Sequence, residues 1–110
     1  MCGRFAQKTP ARKLAQQFKV KEVPPVVERY NVAPAQEVLA VREIMGLREA
    51  VLLKWGLIPS WAKDHSIGAK LINARSETVT EKPSFRDSFR RRRCLIPADG
   101  FYEFMWTFPR

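Results

Sequence analysis

The second residue of the chain, Cys2, offers chemistry that an internal cysteine cannot perform. If Met1 is removed, Cys2 carries a free α-amine on the carbon next to its thiol-bearing carbon. Such an aminothiol reacts with an aldehyde: the amine condenses to an imine, and the sulfur then closes a five-membered thiazolidine ring. Free α-amines and thiols in general titrate at about 7.7–8.0 and about 8.5, so both are partly reactive near neutral pH. The alternative is that Cys2 is an ordinary second residue.

Two polar side chains next to apolar neighbours are further candidates for chemistry. Glu103 follows Phe101 and Tyr102, and strand alternation places Glu103 on the face of Phe101. If that face is buried, the carboxylate is a candidate general acid or base; if it faces water, it is an ordinary strand residue. Asn73 lies between two apolar residues, where its amide could orient a substrate or complete a turn. The single histidine, His65, is interpreted as a surface residue of a polar loop.

Positive charge is concentrated in two parts of the chain and predicts an anionic partner. From Met1 to Lys21 there are six cations and no acid, and Arg90–Arg93 is a run of four arginines. The aromatic residues between these clusters are Trp55, Trp61, Phe85 and Phe89. Cationic grooves with aromatic platforms hold single-stranded nucleic acid, and each stacked base contributes about 1–3 kcal/mol. Solvated charge and core aromatics remain the alternative, except at Trp61, which lies in a polar loop.

Length and composition limit the number of domains and the class of protein. The chain has 110 residues, the size of one domain, and a net charge of +9 that attracts polyanions. Its longest apolar run, Ala50–Leu53, is far shorter than the ~20 residues of a membrane span, and no signal peptide is apparent. Cys2 and Cys94 fit neither a metal-binding nor a disulfide pattern. We therefore expect no metal, no cofactor and no membrane, and a cytoplasmic location (nucleoid-associated in a bacterium, nuclear in a eukaryote).

The elements that must position these residues are short strands and helices. The first half predicts a strand over residues 4–7 and a helix to Phe18, with Thr9 as N-cap and Pro10 as first helical residue. It then predicts an extended or loop-like stretch over 21–34 and a hairpin of Glu37–Ile44 and Leu47–Trp55 around Met45-Gly46. The second half predicts a long loop over 56–70, a helix over 84–90 with Ser84 as cap and Asp87 reaching back, and a strand Phe101–Trp106.

This order of elements lacks a regular βαβ alternation. We therefore expect an α+β fold, with a mixed, mainly antiparallel β-sheet that is open and barrel-like and carries short flanking helices.

Five segments, in order, resemble the motifs of one family, the SRAP (SOS response-associated peptidase) family. They are Met1–Phe5, Tyr30–Pro34, Trp55–Trp61, Ile72–Glu77 and Cys94–Glu103. Each motif is short, but five of them in order with a cysteine at position 2 form a specific pattern that covers nearly the whole chain.

The resemblance implies a sensor of abasic sites in single-stranded DNA that acts in the SOS or DNA damage response. It implies removal of Met1 by the protein itself and a thiazolidine crosslink between Cys2 and the ring-opened abasic sugar, which shields the lesion from strand cleavage. It therefore implies an autopeptidase and a lyase-like crosslinking activity. By the matching motifs, Cys2 is the covalent residue, Asn73 contacts the abasic sugar, Glu103 acts in acid–base steps, Arg4 and Arg75 contact phosphates, and Trp61 lies in the DNA-facing loop.

The resemblance also has a departure. Domains of this family continue well beyond this point and carry a catalytic histidine there, and His65 does not match its motif. We therefore expect residues 1–110 to form one SRAP-like domain truncated on its C-terminal side, with an exposed sheet edge that a second chain would cover. Two other hypotheses remain: a noncovalent basic module that binds single-stranded DNA, and a cysteine peptidase that cleaves only its own first peptide bond.

Overall fold

Two antiparallel sheets and three short helices form the part of the chain that the computed structural model describes, residues 2–103. The elements are β1 (Phe5–Gln7), α1 (Ala11–Phe18), β2 (Arg29–Val32), β3 (Glu37–Ile44), β4 (Leu47–Lys54), a 3₁₀ helix (His65–Ala69), α2 (Arg86–Arg91) and β5 (Gly100–Phe101). One sheet has the strand order β2-β1-β5, and the other is the hairpin β3-β4. The α+β prediction is confirmed, and the two sheets are open and do not close into a barrel.

The predicted hairpin is confirmed, with the second strand ending at Lys54. The pairing runs from Glu37 opposite Lys54 to Ile44 opposite Leu47. Met45 and Gly46, between the strands, both have positive φ, 52° and 79°. Two such residues form the turn whose twist matches that of paired strands, so local turn chemistry fixes this register.

The predicted cap of α1 is wrong. The helix begins at Ala11, Pro10 occupies the N-cap position, and no side chain caps the helix. The Thr9 hydroxyl donates instead to Asp99. The Asp99 carboxylate also accepts the backbone N–H groups of Lys8 and Thr9, at 2.7 and 3.1 Å. These bonds, led by that of the Thr9 hydroxyl, lower the pKa of Asp99 and fasten the chain before β5 to the end of β1.

The stretch before Pro34, predicted as extended or loop-like, is extended in part and contains the strand β2. β2 pairs antiparallel with β1, with Phe5 opposite Val32 and a bulge before Gln7. Val32 is fully buried and joins Phe5 and Val38 in one core cluster. Burial of Val32 therefore draws a proline-flanked segment into the sheet, which local propensity does not indicate.

The second helix is also shifted from its prediction. α2 spans Arg86–Arg91, its N-cap position is Phe85, and Ser84 provides no cap. Asp87 does not reach back to the start of the helix but pairs with Arg91 and Arg92, at 3.7 and 2.9 Å. Asp87 therefore forms ion pairs with arginines that follow it in the sequence, and does not accept a hydrogen bond at the start of the helix.

The strand predicted over Phe101–Trp106 is seen only in part. β5 comprises Gly100–Phe101 and pairs with β1. Residues 104–110, like Met1, lie outside the described residues. Among residues 2–103, no helix is long and apolar enough to cross a membrane.

A buried glutamine connects the two sheets. The Gln7 Nε2 atom donates to the carbonyls of Leu39 and Pro97, at 3.0 and 2.8 Å, and its Oε1 accepts the Leu39 N–H at 3.0 Å. Three bonds from one side chain therefore join β1, β3 and the chain before β5. Gln7 is the one polar residue among the buried side chains of the part of the chain described.

Candidate functional site

Cys2 lies directly before β1 and against the core. Its half-buried side chain packs, with Trp55, on the cluster formed by Phe5, Val32 and Val38. The thiol lies 3.5 Å from the Arg4 carbonyl oxygen, a contact typical of a weak S–H donor. One side of Cys2 is therefore fixed by packing.

Asn73 holds the backbone of Cys2. Its Nδ2 donates to the Cys2 carbonyl oxygen at 2.8 Å, across 71 residues of sequence. The segment that carries Asn73 is itself anchored, because the Trp55 indole N–H donates to the Ile72 carbonyl at 3.1 Å. The Trp55 ring packs edge-on against Phe5, with 5.2 Å between centroids. The structure thus brings two predicted site residues together through a shared aromatic core.

Arg4 directly precedes β1, and Glu103 lies two residues after β5, the strand that pairs with β1. The exposed Arg4 guanidinium contacts the Asn31 Oδ1 at 3.3 Å, and its carbonyl accepts the Tyr102 N–H at 3.0 Å. Phe5 pairs with Phe101, the last residue of β5, and Glu103 follows two residues after it. Glu103 is exposed, which is the solvent-facing alternative of the two left open by its sequence.

Arg75 and Trp61 are both exposed, and the structure shows no contact of either side chain with Cys2 among the described residues. Arg75 is two residues from Asn73, in a turn where its carbonyl accepts the Thr78 N–H at 3.2 Å. Trp61 is 57% exposed, and its indole N–H contacts the Pro83 carbonyl at 3.4 Å. Trp61 lines a separate pocket whose charged members are Lys63, Lys70 and Asp64. An exposed ring beside two cations fits a stacking platform for nucleic acid.

The remaining aromatic candidates are mainly structural. Trp55 packs in the core, as described above, while α2 carries Phe89, 40% exposed and 5.8 Å from the Arg93 guanidinium.

His65 is exposed at the start of the 3₁₀ helix, as expected of a surface residue. Cys2 and Cys94 are free thiols. Within residues 2–103, no group of three or more His, Cys, Asp or Glu side chains could hold a metal ion.

Sequence reasoning gave no role to the tyrosines and the asparagine beside Arg4. The Tyr102 hydroxyl donates to the Tyr30 carbonyl at 2.7 Å, and Asn31 contacts Arg4. The Tyr30 hydroxyl donates to Glu28, which raises the pKa of Tyr30. These residues align the strand end that carries Arg4. The signal was their place in two of the five motifs, Tyr30–Pro34 and Cys94–Glu103.

Comparison with known proteins identifies the family. The profile of the family described as SOS response associated peptidase (SRAP) matches residues 1–108. The chain belongs to the SRAP family.

Curated SRAP relatives come from Bacillus subtilis. The abasic site processing protein YoaM is 48% identical over 106 residues, which cover 94% of this chain and 47% of YoaM. The abasic site processing protein YoqW is 45% identical over 113 aligned positions, covering 100% of this chain and 50% of YoqW. The chain therefore spans about half the length of the curated SRAP relatives it matches, and that half is the N-terminal one.

A solved structure supports the SRAP fold. A crystal structure of a protein from Bordetella bronchiseptica superposes with a TM-score of 0.70 at 27% identity, covering 93% of this chain and 50% of that protein. The arrangement of sheets around Cys2 is therefore similar to one determined by experiment over half of a longer protein.

Proposed function

We propose that this protein processes abasic sites in single-stranded DNA by forming a covalent crosslink through Cys2. The proposal is supported by its membership of the SRAP family and by similar proteins named for abasic site processing. The observation that carries it is the hydrogen bond from Asn73 to the Cys2 carbonyl, which joins two residues that the motifs assign to the reaction. We place this activity in the cytoplasm or nucleus, as part of the response to DNA damage.

The proposed reaction begins with hydrolysis of the Met1–Cys2 bond by the protein, which consumes one water and frees the α-amine of Cys2. The amine adds to the C1′ aldehyde of the ring-opened abasic sugar, and loss of one water gives an imine. The thiol then adds across the C=N bond: the sulfur bonds to carbon and its proton passes to nitrogen. The resulting thiazolidine has the atoms of the aldehyde and the aminothiol minus one molecule of water. Each of the crosslinking steps can run in reverse.

The chain's own residues supply position and proton transfer in this scheme. Asn73 fixes the carbonyl of Cys2, so the amine and thiol hold one orientation relative to the core. A reactive group held in place reacts faster than a mobile one, because part of the entropy that is lost on reaching the reactive geometry has already been lost on folding. Glu103 is exposed, and we assign it proton exchange at the hydroxyl group that leaves during imine formation because it lies in the Cys94–Glu103 motif, which the resemblance connects with acid–base steps.

Replacing Asn73 tests the positioning role. We expect Asn73→Ala to slow adduct formation about tenfold, because one hydrogen bond contributes up to about 1.5 kcal/mol. Asn73→Asp should slow it as well, since a carboxylate cannot donate to the Cys2 carbonyl. The rate is measured by quenched gel assays with an abasic oligonucleotide. Gln16→Ala, which removes an exposed side-chain amide from α1, is the control; an equal effect there would remove the special role of Asn73.

Replacing Glu103 tests the acid–base role. We expect Glu103→Gln to slow adduct formation or reversal about 100-fold, the lower range for loss of a general acid or base. Affinity for intact single-stranded DNA should change little, since one distant charge contributes little to phosphate binding. Glu81→Gln removes the same charge from another exposed site. A large loss of DNA affinity in Glu103→Gln alone would make the glutamate structural.

Replacing Arg75 tests the phosphate contact. We expect Arg75→Ala to weaken binding of intact and abasic strands alike by about three- to tenfold, and to reduce the salt slope by about 0.7, the value of one phosphate contact. Fluorescence anisotropy over a range of salt concentrations measures both quantities. Arg12→Ala, which removes the same charge from the exposed side of α1, should have a smaller effect. A loss confined to the abasic strand would instead place Arg75 at the reacting sugar.

A noncovalent function is the second candidate, and the net charge of +9 favours it. A basic module would bind single strands with affinity that falls steeply with salt, without forming an adduct. A peptidase that acts only on its own first bond would lose Met1 and bind no DNA.

One assay separates these functions. The purified chain is incubated with a labelled oligonucleotide carrying one abasic site, then heated in denaturant. The proposed function predicts a labelled band of increased mass, absent with the intact oligonucleotide. Binding that is lost on denaturation would favour the noncovalent module, and loss of Met1 without binding would favour the self-processing peptidase.

A further inference from the structure

The long loop over residues 56–70 is closed at its base by contacts between its two ends. The Leu57 N–H donates to the Leu71 carbonyl at 3.0 Å. The Trp55 indole N–H donates to the Ile72 carbonyl at 3.1 Å, across 17 residues of sequence. One bond comes from the main chain and the other from a side chain. We call the two joined segments, residues 55–57 and 68–72, the neck of the loop.

Two glycines allow the neck to close. Gly56 has a φ of 128°, a backbone conformation that residues with a side chain rarely adopt. A Cβ on Gly56 would also overlap the carbonyl oxygen of Gly68, which is buried against it. A larger residue at position 56 therefore fits only if the two segments of the neck move apart.

The first segment of the neck is fixed to the sheets, and the second carries Asn73. The Trp55 N–H donates to the Gln36 carbonyl at 3.0 Å, and the Trp55 carbonyl accepts the Ala35 N–H at 2.9 Å. The ring of Trp55, like Cys2, packs against the core cluster. The second segment continues directly into Asn73, whose side chain donates to the Cys2 carbonyl. The neck therefore determines where Asn73 lies relative to Cys2.

We propose that Trp55 and Gly56 are positioning residues for the reaction at Cys2, because the neck that they close holds Asn73 against the Cys2 carbonyl. The proposal rests on the proposed function and adds to it two residues that act through Asn73. An indole is only a hydrogen-bond donor and glycine has no side chain, so neither residue transfers a proton in the reaction. Their contribution is the orientation of residue 2, which affects the rate of reaction of bound DNA and not its affinity.

The alternative is that the neck only stabilises the fold. Changes in the neck would then lower the free energy of unfolding and leave the reaction rate of the folded chain unchanged. The two explanations differ in one measurable property, the coupling between Trp55 and Asn73. If Trp55 acts through Asn73, loss of its indole N–H matters only while the Asn73 side chain is present.

Trp55→Phe tests the side-chain bond of the neck, because it keeps an aromatic ring at the core and removes the indole N–H. We expect the rate of adduct formation at saturating abasic oligonucleotide to fall about fivefold, while the half-saturating concentration stays within about twofold. Adding Trp55→Phe to Asn73→Ala should slow the reaction no further. Multiplied effects of about 50-fold in the double variant would show that Trp55 acts independently of Asn73 and would overturn the proposal.

Gly56→Ala tests the main-chain contact, and Gly46→Ala is its matched control. Gly46 also has a positive φ, 79°, but an added Cβ there meets no atom within 4 Å. Gly46→Ala therefore introduces the backbone strain without the overlap. We expect Gly56→Ala to slow adduct formation about tenfold and Gly46→Ala to change it by less than about twofold. Equal slowing in both variants would assign the effect to strain alone and remove the role of Gly56.

Nuclear magnetic resonance of the chain without DNA distinguishes failure of this proposal from failure of the proposed function. The chain has two asparagines and three tryptophans, so its side-chain amide and indole signals can be assigned by substitution. We expect Trp55→Phe and Gly56→Ala to shift the side-chain amide signals of Asn73 but not those of Asn31, in spectra that remain those of a folded chain. Unmoved Asn73 signals would overturn this proposal, even if the adduct forms. Asn73 signals that move in a chain that forms no adduct would support the neck and contradict the proposed function.

Discussion

Cys2→Ser is expected to lower the yield of the denaturation-resistant adduct with abasic DNA at least about 100-fold, because a hydroxyl is a far weaker nucleophile than a thiol near neutral pH. The serine variant keeps the α-amine, so it can still form an imine, but the imine hydrolyses when the complex is denatured. Noncovalent affinity should stay within about twofold, since the substitution changes no charge. Denaturing gels measure the adduct, and fluorescence anisotropy at several salt concentrations measures the affinity.

The second cysteine provides the matched control. Cys94 is exposed and free, and desolvation by its neighbours, partly offset by the Arg42 charge, raises the pKa of its thiol. Its thiol is on an internal residue and has no adjacent amine, so it cannot close a thiazolidine. Cys94→Ser should therefore form adduct as the unchanged chain does. Equal loss in both variants, or retention of the adduct in Cys2→Ser, would show that the aminothiol of Cys2 is not the reacting group.

Gln7→Ala is expected to lower the free energy of unfolding by about 3 kcal/mol, a large part of the 5–15 kcal/mol typical of a domain. The substitution removes three hydrogen bonds and leaves the Leu39 N–H and two carbonyls without their partner. Each buried polar group left unpaired costs about 1–3 kcal/mol, partly relieved when water enters. Urea unfolding followed by circular dichroism measures the change as a shift in the midpoint.

Two further variants make this prediction specific. Gln16→Ala, on the exposed side of α1, should change stability by less than about 0.5 kcal/mol. Gln7→Glu keeps an acceptor for the Leu39 N–H but loses the donor, and it should destabilise through an unpaired buried charge. If Gln7→Ala were as stable as Gln16→Ala, then Gln7 would not join the sheets, and the position of the chain before β5 would need another explanation.

The elements set by local chemistry could be predicted from the sequence. Met45-Gly46 specifies a tight turn between two apolar strands, so the hairpin and its register follow. The cap of α1 could not be predicted, because its outcome depends on a residue distant in sequence. The Thr9 hydroxyl binds Asp99, 90 residues away, and so does not cap α1. Burial of Val32 against Phe5 likewise makes a strand of a segment between prolines.

The candidate site was predicted as a set of residues but not as an arrangement. Cys2 is singled out by its residue type and its position together, because only a cysteine that becomes the first residue has a free amine next to its thiol. Its bond to Asn73 spans 71 residues and depends on how Trp55 joins the Ile72 segment to the core. The orientation of Glu103 stayed open in the sequence, since alternation fixes which residues share a face but not which face meets water. The exposed position of Glu103 follows from the structure alone.

The intact mass of the protein–DNA adduct tests the central proposal most directly. The purified chain is incubated with an abasic oligonucleotide, and mass spectrometry of the product, followed by fragmentation, gives both composition and site. We predict the mass of the chain without Met1 plus that of the oligonucleotide less one water, with the modification on Cys2. A chain that keeps Met1 or carries a blocked first amine, or a modification on a lysine, would contradict the account.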